Sequence, residues 1–538
     1  MIGDAIPRVE DRRLLTGAGC FTDDIAFDGQ LYAAFVRSPH GHAAIRSVDS
    51  AAAAAMPGVL GVWRAEDLLA DGVRPFPTDV ETRGPLYPNR DGSLMADPDW
   101  LPLSMGRARH VGDAVALVVA DTEARARDAA GAVAVDWKPL LSVTDTATAG
   151  DAGKPRLWDC APRNVCFDWV TGDRVATEAG LAAAQRVVSL SVVNNRLITC
   201  FMEPRAAVAR FDAAAGRFEL FVGCQGLYTL QRRLAHVLGV APALVRVVTR
   251  DVGGGFGSRN VTYPEYAAVL WAARRLGCPV KWTAGRDEEF SATAQARDTV
   301  LSGRLGLDAD GMFTALRVDS VCNLGAYHSN NGPFTQLRNL TRMLTSVYRV
   351  PASYLELTGV FTNKAPISSF RGVGRMEAVY MIERLIEEAA RQTGIDRVTL
   401  RRRNLIPPDA MPYRANPDAL YDSGDYAAGM DIALRAADWD GFEARRADTL
   451  RRGRLRGIGI GNYIEGAGGE PSEFGAVAVE GSDAGTVRLA AGCVAQGQGH
   501  ETTLRQIVAA EFGIAMDRVS FTTNDTDLIP AGVGTNAS

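Results

Sequence analysis

Lysine is nearly missing from this chain: it supplies four of the 58 basic residues, at Lys138, Lys154, Lys281 and Lys364, and arginine supplies the rest. Coding bias explains that better than function does. The six histidines include no H-x-x-x-H pair, and the eight cysteines (20, 160, 166, 200, 224, 278, 322 and 493) include no C-x-x-C. Structural zinc and iron–sulfur clusters need tighter spacing, so neither is expected on side chains here. A metal, if there is one, must be held by something other than side chains. Most of the cysteines are expected to be small buried apolar residues in a reducing compartment. The start, MIGDAIPRVEDRRLLTG, has no apolar core of a secretion signal, and no apolar run is long enough to span a bilayer. The expected location is the cytoplasm, with no membrane partner. A formal charge of −5 argues against nucleic acid. There is no G-x-x-x-x-G-K-[ST] and no complete G-x-G-x-x-G, which leaves P-loop and dinucleotide-fold readings without support.

What the chain does have is glycine loops. GGGFGSRN (253–260) precedes an apolar-periodic stretch over 264–276, and SSFRGVGRME (368–377) runs into a helical pattern ending at Thr393. QGQGHET (496–502) leads into TLRQIVAAEF (503–512), and PAGVGTNAS (530–538) is the fourth. Backbone without a Cβ can approach a ligand closely, and the first turn of a helix presents free N–H groups with partial positive charge. One such loop is ordinarily a tight connection. Four, each with a polar side chain (Arg259, Arg371, Gln498, Thr535), favour one shared cleft gripping a large anionic cofactor by main-chain contacts.

At 538 residues, with 47% apolar and 22% charged residues, the chain predicts two to four soluble domains. Strands over 31–39, 114–121 and 133–140 with a helix after Asp121 predict a small mixed α/β domain over 1–145, carrying a Pro/Gly-rich excursion at 69–99. A section over 158–405 follows, with longer strands (186–198, 217–223, 245–249) and helices over 228–239 and 377–393. Prolines in 404–425 predict an irregular linker. A third section, 424–538, predicts a helix from Asp425 and strands around 457–464, 473–480, 486–491 and 519–523. Ending inside a turn motif, with Asn536 and Ser538 as cap-type residues, suggests a fragment or a subunit split in two.

In order, the chain carries IPRVEDRRLLTGAGCFTDDI, LYAAFVRSPHGHAAI, TCFMEPRAAVA, GCQGLYTLQ, DVGGGFGSR, YPEYAAVLWAARRLGCPVKW, NLGAY, FRGVGRMEA and GQGHET. This series resembles the molybdenum hydroxylases, the large subunits of the xanthine dehydrogenase, aldehyde oxidase and aerobic carbon monoxide dehydrogenase family, over nearly the whole chain. The resemblance implies an α+β fold: an N-terminal α/β-hammerhead domain, then two molybdopterin-binding domains, the second represented by its N-terminal part only. It implies a molybdenum–molybdopterin cytosine dinucleotide cofactor, with [2Fe–2S] and FAD on partner subunits and a second molybdopterin-domain chain to complete the site. The implied reaction is hydroxylation of an aldehyde or N-heteroaromatic small molecule, with water as the oxygen source.

By that resemblance Gln225 is the glutamine beside the molybdenum oxo group, and Arg371 the arginine beside the metal; both carry catalytic roles. Gly254, Gly255 and Phe256 form the backbone passing close to the metal. Gly497 and Gln498 contact the pterin, and Thr535 and Ser538 fall in the last glycine loop. Asn260 stands where xanthine-oxidising members have glutamate, and Val373 where they have a phenylalanine, so xanthine is not expected. Gly372, Val373 and Gly374 occupy the stretch where carbon monoxide dehydrogenases have a copper-binding cysteine, so carbon monoxide is not expected either. The family's general-base glutamate lies in a G-E-x-G motif that this chain does not contain, and Glu203, Glu465 and Glu501 lack that context. Two other readings stay open: a non-catalytic remnant or interaction subunit without molybdenum, and a nicotinamide-dependent dehydrogenase with an atypical loop.

Overall fold

The computed structural model describes residues 2–330, 332–466, 473–480 and 485–535. Its largest sheet has seven strands in the order Val245–Val248, Arg217–Val222, Ala206–Asp212, Val280–Thr283, Leu31–Arg37, Ala114–Ala120 and Val59–Arg64. Strands from the N-terminal section thus continue the sheet of residues 206–283, joined where Leu31 and Tyr32 pair in parallel with Val280 and Lys281. Ala114–Ala120 is apolar at every position and buried along its full length, as a central strand covered on both faces must be. The helix Pro264–Leu276 lies across this sheet, nine of its residues buried, with Trp271 edge-on to Trp63 at 5.4 Å between centroids. A small sheet of Arg107–Ala108, Ala43–Asp49 and Ala134–Pro139 completes the N-terminal section.

A second sheet of five strands has the order Val165–Gly172, Ser353–Phe361, Phe313–Gly325, Thr299–Leu307 and Arg186–Asn194. The helix Arg375–Thr393 packs on its far edge; a Cβ on Gly303 would lie 2.5 Å from Met381 Sδ, so glycine there permits the close approach. The excursion expected over 69–99 runs along this sheet, Asn89 Oδ1 accepting from Asp168 N (2.9 Å) and Arg90 pairing with Asp168 (2.8 Å). The third section is a smaller sheet, Gly475–Glu480, Thr486–Ala491 and Val519–Thr522, with the helix His500–Phe512 packed on it. It docks on the edge of the seven-stranded sheet, where Thr249 N donates to Asn524 O (2.8 Å) and Arg246 pairs with Asp525.

Two sequence expectations are corrected. Residues 457–464 form no strand, although glycine and apolar residues alternate there. Their main chain is bonded by side chains instead: Arg397 to Ile458 O (3.2 Å), Arg401 to Ile460 O (3.2 Å), and Asn462 N to Glu383 Oε1 (3.1 Å). The linker over 404–425 is not wholly irregular. Tyr413–Asn416 and Ala419–Tyr421 form a hairpin with Pro417 and Asp418 in its turn, where Asn416 Oδ1 accepts from Asp418 N (3.0 Å). Of the eight cysteines only Cys166, Cys224 and Cys322 are buried, fewer than expected, and burial pushes the Cys224 thiol up to about 11. Among the described residues no helix is long and apolar enough to cross a membrane.

Arg205 joins the sections. It is fully buried, 2.9 Å from Glu289 and 3.1 Å from Glu265, and Glu265 also holds Arg37 of the N-terminal section at 2.7 Å. Burial alone would raise the Glu265 carboxyl, but Arg205 and Arg37 outweigh it and hold the group below its ordinary value. Its stabilising contribution is therefore complete above the unfolded carboxyl pKa of about 4.3 and is lost as pH falls through the lower folded value. Breaking a buried ion cluster by removing one partner costs about 3–5 kcal/mol. Arg205→Ala should lower the denaturant midpoint accordingly, while Arg446→Ala, which removes an exposed pair with Glu443, should leave it nearly in place.

Candidate functional site

The glycine loops meet. Gln225 follows the strand Arg217–Val222 and precedes the helix Leu227–Leu238, and it is buried. Its side-chain Oε1 accepts from Gly257 N (2.8 Å) in the first loop, and its Nε2 donates to Thr535 O (3.2 Å) in the fourth. Its carbonyl accepts from Thr535 N (2.8 Å). A Cβ on Gly534 would overlap that carbonyl oxygen and lie 2.5 Å from Gly226 Cα, so only glycine fits. Gly255 is as confined: its Cβ would lie 2.9 Å from Gln496 Cγ and 3.0 Å from Gln225 Cδ, which brings the third loop against the first. The second loop joins them where Arg371 N donates to Phe256 O (2.8 Å) and where a Cβ on Gly257 would sit 2.7 Å from Ser369 O.

Backbone strain gathers here. Phe256 (φ 53°) and Val373 (φ 46°) are left-handed without being glycine, and Gly254, Gly257, Gly372, Gly374 and Gly497 have φ between 82° and 114°. For a β-branched residue such as Val373 that conformation costs of order 1–3 kcal/mol and persists only where the surroundings enforce it. The floor of the site is buried (Gln225, Gly254, Gly255, Thr535), whereas Phe256, Arg371, Gly497 and Gln498 are exposed around it. The Arg371 guanidinium has no bonding partner among the described residues. A Cβ on Gly497 would meet nothing within 4 Å.

Several side chains are directed otherwise than the sequence suggested. Arg259 does not face the cleft. It is fully buried over Phe201 and binds Gly254 O (2.8 Å), Gly223 O (3.2 Å) and the Glu203 carboxylate (3.0 Å), so it stitches the loops from behind. The Thr535 hydroxyl binds the main chain of Val494, accepting from its N–H at 3.0 Å. Gln498 folds back on Gln496 (Nε2 to Oε1, 3.0 Å). Asn260 lies in the loop beside Gly226, whose Cβ would be 3.4 Å from Asn260 Oδ1, and its carbonyl accepts from Asn330 Nδ2 (2.7 Å). Ser538 lies outside the described residues.

The helix-start argument needs correction for two loops. A 3₁₀ turn, Ser258–Asn260, separates GGGF from the helix Pro264–Leu276, whose first-turn Glu265 faces the Arg205 cluster. The helix His500–Phe512 does begin at the third loop, but the buried carboxylate of Glu10 already accepts from Thr502 N (3.3 Å) and Thr502 Oγ1. An anion from the protein itself occupies that end. The donors at this site belong to the loops, with the helix Arg375–Thr393 starting directly at Gly374.

Sequence reasoning missed the residues that hold the loops. Glu473 accepts from Val533 N (3.2 Å) and Gly534 N (2.8 Å), Glu203 accepts from Gly253 N (2.8 Å), and Asp251 takes Arg13 (2.7 Å) and Cys20 N (2.9 Å). No local pattern marks them, since each partner is remote in sequence. Glu203, Glu465 and Glu501 all have arginine partners: Arg259, Arg375 (3.0 Å), and Arg13 with Arg505. Among the described residues there is no cluster of three metal-ligating side chains.

Comparison with known proteins agrees with this arrangement. Residues 16–141 match the aldehyde oxidase and xanthine dehydrogenase a/b hammerhead domain, and residues 157–405 and 432–538 match molybdopterin cofactor-binding domains. The carbon monoxide dehydrogenase large chain of Hydrogenophaga pseudoflava is 33% identical over 98% of this chain and 67% of its own. The 6-hydroxypseudooxynicotine dehydrogenase complex subunit gamma of Paenarthrobacter nicotinovorans is 34% identical over all of this chain and 66% of its own. Quinoline 2-oxidoreductase from Pseudomonas putida 86 superposes with a TM-score of 0.90 at 31% identity, over 99% of this chain and 68% of that one. The chain belongs to the molybdopterin-binding large subunits of the molybdenum hydroxylase family of oxidoreductases. It spans about two thirds of the length of the curated relatives it matches.

Gly534→Ala should break the Gln225–Thr535 junction and speed hydrogen exchange at residues 225–226, 257 and 535. Gly429→Ala, in a helix and with open space at its Cβ, should instead raise stability by about 0.5–1 kcal/mol.

Proposed function

We propose that this chain is the cofactor-holding subunit of a molybdenum hydroxylase acting on an N-heteroaromatic compound or an aldehyde. The observation that carries it is the convergence of five segments on Gln225 and Gly255, where a floor with no room for a Cβ at Gly255, Gly257 or Gly534 is rimmed by the Arg371 guanidinium, which has no partner among the described residues. That donor set suits a pterin with an anionic tail, and it explains a metal site without protein ligands. When bound, the molybdenum cofactor supplies two-electron redox chemistry at the carbon being hydroxylated, water providing the oxygen.

In this reading Gln225 offers its remaining amide hydrogen toward the metal-bearing end, held in place by Gly257 and Thr535. Gly254, Gly255 and Phe256 present the close-approaching backbone, and Arg371 places positive charge at the open face. Gly497, Gln498, Thr535 and Ser538 serve the pterin and its tail, Gln498 turning away from Gln496 to do so. Asn260 and Val373 line the substrate pocket. A small aliphatic residue at 373 offers no aromatic face to stack a purine, which argues against xanthine, and the names of the relatives point to quinoline-like or pyridine-like substrates. The Gly372–Val373–Gly374 sequence has no thiol for copper, which argues against carbon monoxide.

Glu203, Glu465 and Glu501 are all held by arginines, so none of the three is assigned as the general base. A base of this kind is worth typically 10²–10⁴-fold. The cofactor is the cytosine dinucleotide form, and electrons leave to [2Fe–2S] and FAD subunits in a cytoplasmic complex.

Co-production with the products of neighbouring reading frames, followed by metal analysis and acid release of nucleotide, tests the reading. Molybdenum together with a cytidine nucleotide is expected. NAD binding without molybdenum would select a nicotinamide dehydrogenase, and neither ligand would leave a non-catalytic remnant. In the loaded complex Gln225→Ala should slow turnover by roughly 10²–10³, the cost of removing one preorganised donor. Unchanged turnover would remove Gln225 from the site.

A further inference from the structure

Behind the second glycine loop, two adjacent residues other than glycine are left-handed: Arg297 and Asp298, each with φ 65°. Such a pair persists only if the surroundings enforce it. Here they do so through Asp298. Its N–H donates to Asn194 O (3.0 Å) and its carbonyl accepts from Asn323 N (3.0 Å). Its carboxylate accepts from Thr146 Oγ1 (2.6 Å), Arg196 Nε (2.7 Å), Asn323 Nδ2 (3.0 Å) and Lys364 Nζ (3.0 Å). With that residue fixed, the strained backbone from which the Arg297 side chain departs is fixed too.

Arg297 is buried against the back of the loop. Nη2 donates to the Arg371 carbonyl, Nη1 lies 3.5 Å from Glu377 Oε2, and the guanidinium sits over the Phe370 ring, 5.3 Å from its centroid. Glu377, in the first turn of the helix Arg375–Thr393, is held in turn by Gln336 Nε2 (3.1 Å). Arg371 N already donates to Phe256 O. Both main-chain polar groups of Arg371 are therefore fixed, one by the first glycine loop and one by Arg297, and its side chain alone is left free to face the cleft.

We propose that Arg297 is the positioning residue of the Arg371–Val373 loop: its planar fork spans Glu377 and the Arg371 carbonyl and holds the strained turn in its ligand-facing shape. The meaning of that shape rests on the reading of Arg371 and Val373 given above, but the fork itself can be tested without any cofactor. A lysine carries one ammonium point charge and cannot span both acceptors.

The test is hydrogen exchange of peptides covering residues 368–376 in the full chain with whatever subunits co-purify. Arg297→Gln should speed exchange there by roughly tenfold, the equivalent of one charge-assisted bond. The thermal midpoint should fall, because Glu377 loses its buried cation, but exchange in the helix Pro264–Leu276 should rise far less than over 368–376, a local effect that a general loss of stability would not give. Arg297→Lys should fall between the two. Wild-type exchange over 368–376 in a folded Arg297→Gln protein overturns the proposal. If that variant unfolds broadly, Arg297→Lys decides: raised local exchange sustains the fork, and wild-type exchange overturns it. Molybdenum content, measured on the same samples, reports separately on the functional reading; a metal-free chain would sink that reading and leave the exchange result intact.

Discussion

The arrangement depends on main chain packed against main chain around Gln225. A glycine at 534 lies on its carbonyl, a glycine at 255 lies on its amide, and the amide ties residues 257 and 535, the latter 310 residues away. Contacts this close admit no Cβ, so they hold the loops at one spacing and leave no slack for a side chain to fill. The strain at Phe256 and Val373 follows from that confinement. A cleft built this way is shaped before a ligand arrives, and the cost of ordering several glycine-rich segments is met in folding.

Charge holds the frame from outside. Arg259 with Glu203, Arg13 with Asp251 and Glu501, Arg246 with Asp525, and Arg205 with Glu265 and Glu289 each join segments distant in sequence. Arg259 binds the Glu203 carboxylate and three main-chain oxygens together, while Arg13, Arg205 and Arg246 each span two carboxylates, a geometry a lysine cannot reproduce. Gene composition accounts for the number of arginines; the fold has given several of them work that only a guanidinium does. The helix dipoles invoked for the anionic ligand contribute less than expected, because Glu10 already occupies the start of His500–Phe512.

Much of the architecture was legible in the chain. The continuous apolar run at Ala114–Ala120, the periodicity of Pro264–Leu276 and the stop at Gly394 all lie within one element, so local propensity and burial agree there. Residues 457–464 misled because glycine alternating with isoleucine imitates a strand; the partner that satisfies its backbone is a buried arginine and glutamate from other helices. The hairpin at 413–421 was hidden by its prolines: Pro412 precedes the first strand and Pro417 sits in the turn, so neither interrupts a strand.

The sequence by itself determined that glycine loops with polar neighbours recur, that no C-x-x-C or H-x-x-x-H pair is present, and to which family the ordered motifs belong. These are properties of residue type and spacing, and they survive without coordinates. Only the tertiary structure decided which polar side chains face the cleft. Arg259 and Arg371 look alike as loop arginines, yet one is buried as a stitch and the other is open, because the direction of a side chain depends on backbone dihedrals and on partners brought in from remote parts of the chain.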